Sequence, residues 1–289
     1  MWAEFKEKTF ETAFVGELRL LTKVIYAPDQ CDEALLGFDA SAFAPWELLP
    51  PILPYMRYRR WSRLVGISSD EIREFGEELN SRLPKFRLNL FVQFKRPEFL
   101  TRSSASEWSY WERKYFRYTV GEQQQQLLRK IVDVGAGRAA AVYAVPAFYK
   151  SDELFTHQLN DAIIDNTNIL NAALLSGHSK CTFVEAGNFG VGHSDPEEIR
   201  SPSLREIVQS REGTEELPFT QQVKSTADLI KAILEDDDEG RNTLELARQA
   251  LLDRDFSDEY PRAEGTWFDA IITMIAFSSA FGVRVCALG

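Results

Sequence analysis

Apolar residues recur at positions 10, 14, 18 and 21 of TFETAFVGELRLLTK (9–23), with Val15 beside them, which predicts an amphipathic helix. ALLGFDASAF (34–43) reads as a strand around Gly37, and LFVQFK (90–95), stopped by Pro97, as a second. Between them SSDEIREFGEELNSRL (68–83) reads as a helix opened by a polar cap, within an insertion-like region from 45 to 82. VGEQQQQLLRKIVDVG (120–135) predicts a helix ending at a glycine, and AAAVYAVPAF (139–148) a buried strand. Strand, helix, strand at this length is a crossover unit, which implies parallel pairing in an α/β sheet. Beyond it, DELFTHQLNDAIIDNTNIL (152–170) reads as helix, TFVEAGNFG (182–190) as a short strand, and 203–280 as mostly helix with the acidic run EDDDE at 235–239. GNFGVG reads as a turn, since it does not open a helix after a strand as a dinucleotide loop must.

In LFVQFK the alternation puts Leu90, Val92 and Phe94 on one face and Phe91, Gln93 and Lys95 on the other. An amphipathic edge strand accounts for this, unless something elsewhere in the chain meets the polar face. Glu11 is one candidate. On a helical wheel Phe14, Val15 and Leu18 all fall within about 60° of it, so a carboxylate sits inside the apolar stripe. A buried carboxylate calls for a cation, a metal or a proton. A helix rotated toward Phe10 and Leu21 would instead leave Glu11 at the solvent edge, and Glu17, at the opposite rim, is the alternative acid. Asp39 interrupts the strand LGFDASAF just after a glycine, where acids are rare unless they have a partner or tie down a turn.

A helix acid, a strand acid and a strand ending in Gln-x-Lys, followed by a helix and a further strand, form an ordered set. In it residues 9 to about 148 resemble the restriction-endonuclease-like PD-(D/E)XK superfamily of phosphodiesterases, closest to its Mrr-like and archaeal Holliday-junction-resolvase branches. The resemblance implies a mixed sheet flanked by helices over 1–185, with 186–289 as an appended, acidic, mainly helical part. It also implies that Glu11, Asp39 and Gln93 hold Mg²⁺ or Mn²⁺, with Lys95 as the further catalytic residue. Two carboxylates and an amide oxygen suit a hard cation, and a lysine on the same face can orient water or neutralise charge on phosphate. Gln93 stands where most members carry glutamate, which removes one ligand charge. The 54 residues from Asp39 to Gln93 require the 45–82 insertion.

Charge adds a partner. The chain is acidic overall, at −11, which argues against bulk coating of nucleic acid. Residues 55–130, however, hold sixteen Lys/Arg against nine Asp/Glu, net +7, whereas 151–265 hold ten against twenty-four, net −14. The basic part is rich in aromatics, and Arg57, Arg59, Arg60 and Arg96 are candidates for gripping a DNA backbone. Complementarity between the two parts of the chain would explain the same distribution. Three cysteines fit neither a disulfide framework nor a zinc knuckle, and the fifteen residues from His178 to His193 match no zinc spacing. The opening residues carry no secretion pattern and no apolar run reaches spanning length, so a cytoplasmic protein without membrane contact is expected. The expected function is a metal-dependent DNA endonuclease of prokaryotic restriction or phage defence. Its rival is a nuclease-like fold without catalysis, whose acidic C-terminal part docks a partner defence protein.

Overall fold

The structure, a computed structural model, describes residues 1–28, 42–43, 69–135, 137–210, 215–255 and 264–289. Asp39, Arg57, Arg59, Arg60 and most of the expected strand at 34–43 lie outside the described residues. The fold is mixed α/β, in two compact units: Met1–Leu21 with Leu90–Glu212, and Thr22–Asn89 with Gly213–Gly289.

The first unit opens with α1 (Glu7–Glu17), which begins two residues before the expected start at 9 and places an acid in the first turn, where the helix dipole favours it. Its buried side chains include Phe10, Ala13, Phe14 and Val15, continued by Leu18. Phe10 and Phe14 meet the ring of Phe94 edge-on at 5.7 and 5.3 Å. Phe94 ends β3 (Leu88–Phe94), in which all seven residues are buried. Beside the last five residues of β3 runs β6 (Ala139–Pro146), and antiparallel to β6 runs β7 (Thr167–Asn171), with Val142 opposite Asn171. Between β3 and β6 the chain makes more than the expected helix. It forms β4 (Glu98–Leu100), α3 (Trp108–Trp111), β5 (Tyr115–Thr119) and then α4 (Glu122–Val134). Strands β4 and β5 join a second sheet with β8 (Lys180–Phe183), β9 (Phe189–His193) and β10 (Glu197–Arg200), in the order β10-β9-β8-β5-β4, each neighbour antiparallel.

Two expectations are corrected here. The segment 152–170 is helical only in α5 (Ser151–Leu159), because Asp161 takes a positive φ of 49° and ends the helical path. The following backbone is held by Glu17, whose carboxylate accepts the N–H groups of Ile163 and Ile164 at 2.6 and 3.0 Å, and Thr167–Asn171 then pairs with β6. Of GNFGVG (187–192), Phe189–Gly192 belong to strand β9, which runs on to His193, rather than to a turn. Its glycines serve close approach: a Cβ on Gly190 would come within 2.9 Å of Cys181 Sγ, and one on Gly192 within 2.5 Å of the His178 ring.

The second unit pairs β1 (Ile25–Tyr26) antiparallel with both β2 (Ala42–Phe43) and β11 (Arg284–Leu288), Ile25 lying opposite Phe43 and Leu288. Helices α2 (Ser69–Arg82), α7 (Phe219–Ile233), α8 (Asp238–Asp255) and α9 (Trp267–Phe281) complete it, after the short α6 (Leu204–Gln209) of the first unit. Leu88 and Asn89 of β3 belong to this unit, and the buried Asn89 Oδ1 accepts from Gln222 Nε2 at 2.6 Å and Thr226 Oγ1 at 2.7 Å on α7. The acidic run at 235–239 starts α8: Asp237 Oδ1 accepts the Gly240 N–H at 2.9 Å, and Asp238 and Glu239 occupy the first turn. Among the described residues no helix is long and apolar enough to cross a membrane.

Glu17→Ala removes the acceptor of two backbone donors in a buried place. It is expected to destabilise the protein by about 2–3 kcal/mol, read as a lower urea midpoint at unchanged slope. Glu17→Gln, which keeps one carbonyl oxygen, should cost less.

Candidate functional site

At the end of β3 the chain carries Gln93, Phe94, Lys95 and Arg96 into Pro97. Gln93 is buried, and its Nε2 donates to the carbonyl of Phe94 at 2.9 Å. Gln124 on α4 reaches both polar side chains: its Nε2 donates to Gln93 Oε1, and its Oε1 accepts from Lys95 Nζ at 2.6 Å. The same ammonium lies 6.0 Å from the ring centroid of Tyr143 on β6. Tyr143 in turn donates to Gln125 Oε1 at 2.9 Å, and the Gln125 amide donates to the carbonyl of Ala172. The polar face of LFVQFK is therefore bridged from α4, with Gln93 buried and Lys95 half-buried.

The acid that acts on Lys95 is Glu7. Burial lowers the Lys95 ammonium's pKa, and the Glu7 carboxylate partly restores it. Burial raises the Glu7 pKa, opposed by Lys95, by the Arg96 N–H bonded to it and by Lys8, and reinforced by Glu11. Glu11, half-buried one turn along the same helix face, pairs with Lys8 Nζ at 3.0 Å. Glu17 is committed to the backbone of Ile163 and Ile164. Arg96 donates through Nε to the carbonyl of Ala3 at 2.8 Å, so its guanidinium is tied to the start of the chain. Asp39, Arg57, Arg59 and Arg60 lie outside the described residues.

Glu7 and Gln124 were not singled out from the sequence. For Glu7 the signal was present: at about 100° per residue it falls about 40° from Glu11 toward Phe14, deeper in the apolar stripe, once the helix is begun at Glu7. Gln124 carries no comparable mark within its run of glutamines. Among the described residues no three His, Cys, Asp or Glu side chains converge as a metal group. Glu7, Glu11 and the Gln93 amide oxygen are oxygen donors of the kind Mg²⁺ takes; the Gln93 oxygen accepts from Gln124, and Glu11 pairs with Lys8.

A second polar cluster occupies the sheet β10-β9-β8-β5-β4. Glu107, just before α3, is buried, and its carboxylate receives Lys180 Nζ at 2.8 Å, Tyr115 Oη at 2.9 Å and Arg117 Nη1 at 3.0 Å. Burial alone would raise its pKa, but the hydrogen bonds from Lys180, Ser106 and Tyr115 and the Arg117 charge outweigh that and hold it at about 2. Nearby, Trp111 Nε1 donates to Thr182 Oγ1 at 2.9 Å, and that hydroxyl meets His193 Nε2 at 2.8 Å. An indole only donates, so the hydroxyl accepts from it and has its own hydrogen free for His193. Burial lowers the His193 pKa. Glu107 opposes that change, while Lys180, His178 and Arg117 add to it. These contacts fasten α3 to the sheet and give the histidines a structural setting.

Because the folded pKa of Glu107 lies below its ordinary value of 4.5, its contribution to stability is complete above that value and is lost as pH falls toward about 2. Glu107→Gln is expected to cost about 3 kcal/mol at neutral pH and to flatten the acid limb of a plot of urea midpoint against pH. Comparison of the chain with models of protein families, with curated proteins and with solved structures finds no match.

Proposed function

We propose that the first unit is a restriction-endonuclease-like domain that hydrolyses phosphodiester bonds in DNA with the help of Mg²⁺ or Mn²⁺, as an effector of prokaryotic restriction or phage defence. The observation that carries this reading is the placement of Lys95. Its ammonium sits at the end of a wholly buried strand, two residues after Gln93, acted on by the Glu7 carboxylate and bonded to the Gln124 amide. A cation that only solubilises the surface has no reason to be drawn out of water in this way, whereas a cation that must meet a scissile phosphate or an attacking water gains strength from lower polarity.

The metal would be held by the Gln93 oxygen with carboxylates drawn from Glu7, Glu11 and Asp39; once bound it would polarise the phosphate and acidify a water. Lys95 would hold that water or a phosphate oxygen, and Gln124 would keep Lys95 in place. Arg57, Arg59 and Arg60 would bind the DNA backbone, and cytoplasmic placement follows from the substrate. A second reading, a non-cleaving subunit that docks a partner defence protein through its acidic C-terminal part, is favoured by one observation: a neutral Gln93 stands where a third charge would strengthen the metal site.

Purified protein incubated with plasmid or branched DNA should cleave in Mg²⁺ or Mn²⁺ and not with chelator. Lys95→Ala should slow cleavage by about a hundredfold or more while the protein still folds, with a drop in melting temperature no larger than the loss of one hydrogen bond gives, and cleavage that survives Lys95→Ala would overturn the assignment. Metal-dependent DNA binding without cleavage would move the reading to the docking subunit. Gln93→Glu should lower the Mg²⁺ concentration at the midpoint of a calorimetric or thermal-shift titration, since hard cations gain affinity with ligand charge. Superimposable curves would remove Gln93 from the metal site. Neutralising Arg57, Arg59 and Arg60 together should weaken DNA binding and reduce the slope of log affinity against log salt by up to about 2.7 for three phosphate contacts.

A further inference from the structure

The hydrogen bonds at the end of β3 run in one direction, from the Lys95 ammonium to the Phe94 carbonyl. An ammonium has hydrogens to give and no lone pair, so the Gln124 atom facing Lys95 must be the carbonyl oxygen, at 2.6 Å. The other end of the same amide is then an NH₂, and it meets Gln93, which must answer with its oxygen. The Gln93 nitrogen is left for an acceptor and finds the Phe94 carbonyl at 2.9 Å. Oxygen and nitrogen of an amide are nearly the same size, so packing alone would hold either glutamine equally well turned over. Both ends of the chain distinguish the two orientations: the Lys95 ammonium, which only donates, and the Phe94 carbonyl, which only accepts.

We propose that Gln124 is the positioning residue of this site: it joins the Lys95 ammonium to Gln93 and, together with the Phe94 carbonyl, fixes which atom of the Gln93 amide is presented. Lys95 and Gln93 stand two residues apart on one face of the strand, and Gln124, reaching in from α4, completes the chain between them. An amide oxygen carries two lone pairs, so Gln93 Oε1 retains one beyond the bond to Gln124. That this oxygen meets a cation rests on the nuclease reading; the transmission of orientation does not.

The neighbouring glutamines separate this role from general helix chemistry. Gln125 points to Tyr143 and Ala172, and Gln126 to Glu122 at 3.4 Å, so neither can replace Gln124 in the bridge. Glutamate at 124 would keep an acceptor for Lys95 and lose the donor to Gln93. Leucine would lose both. Methionine at 95 would leave the Gln124 oxygen without its donor and weaken the bridge to Gln93.

The test reads the side-chain NH₂ pair of Gln93 by nitrogen-15 NMR in the full chain, through its chemical shift and its hydrogen exchange with water, with melting temperature measured in parallel. Lys95→Met should shift this pair and speed its exchange about tenfold, the equivalent of one net hydrogen bond. In a Gln124→Leu background the same Lys95→Met change should have no further effect. Gln124→Glu should melt close to wild type yet show the Gln93 behaviour of Gln124→Leu. Additive effects of Lys95→Met and Gln124→Leu, or an undisturbed Gln93 pair in Gln124→Glu, would overturn the proposal. If Gln124→Leu does not fold, Lys95→Met and Gln124→Glu decide between the same outcomes. None of these readouts needs turnover: intact coupling without DNA cleavage would remove only the nuclease reading, and cleavage without coupling only this one.

Discussion

Seven consecutive buried residues in β3 leave no solvent to satisfy the side-chain amides of Asn89 and Gln93, and much of the surrounding structure answers that constraint. Asn89, Phe91, Gln93 and Lys95 share a face of the strand by alternation. Asn89 is met by Gln222 and Thr226 from α7, and Gln93 and Lys95 by Gln124 from α4. A buried polar atom left without its partner costs about 1–3 kcal/mol, so these helices are held in register by hydrogen bonds as well as by apolar contact. On the opposite face Phe94 is met by the rings of Phe10 and Phe14. One strand thus combines a tight aromatic contact with a directional polar one.

The first unit handles buried charge in two contrary ways. Around Glu107 two cations and a phenol converge on one carboxylate, and its pKa falls to about 2, so the charge is secure across the physiological range. Around Lys95 and Glu7 burial is the larger influence on each, and each is pushed toward its neutral form in spite of the other. The first arrangement fastens a loop, and the second holds two opposite charges that burial weakens. That contrast is the physical reason to look for chemistry at Lys95 and for anchoring at Glu107.

The elements legible from the sequence were those with a single consistent period and a clear stop: β3 before Pro97, α4 ending at Gly135, β6 as a continuous apolar run. Elements whose conformation depends on a distant partner were not. Residues 167–171 carry helix and strand signals alike, and pairing with β6 decided the matter; Gly190 and Gly192 resembled turn residues, although close packing against Cys181 and His178 is what requires them. At the site, Gln93 and Lys95 were visible because a polar pair interrupted a greasy strand. Glu7 was hidden by a helix begun two residues late, and Gln124 by three like neighbours whose separate roles only the fold distinguishes.

Each unit is assembled from two stretches of chain, 1–21 with 90–212 and 22–89 with 213–289, and the path changes hands between Asn89 and Leu90 within β3. Any contiguous fragment that holds one complete unit must therefore also hold a long stretch of the other, and an excised first unit would arrive with a severed loop where residues 22–89 belong. In kinetic terms both units depend on contacts far apart along the chain, the situation of high contact order that slows folding. The entropy of closing such loops grows only with the logarithm of their length, so the arrangement delays assembly more than it weakens the assembled protein. Division of labour between the two units is accordingly better explored by point substitution within the full chain than by truncation.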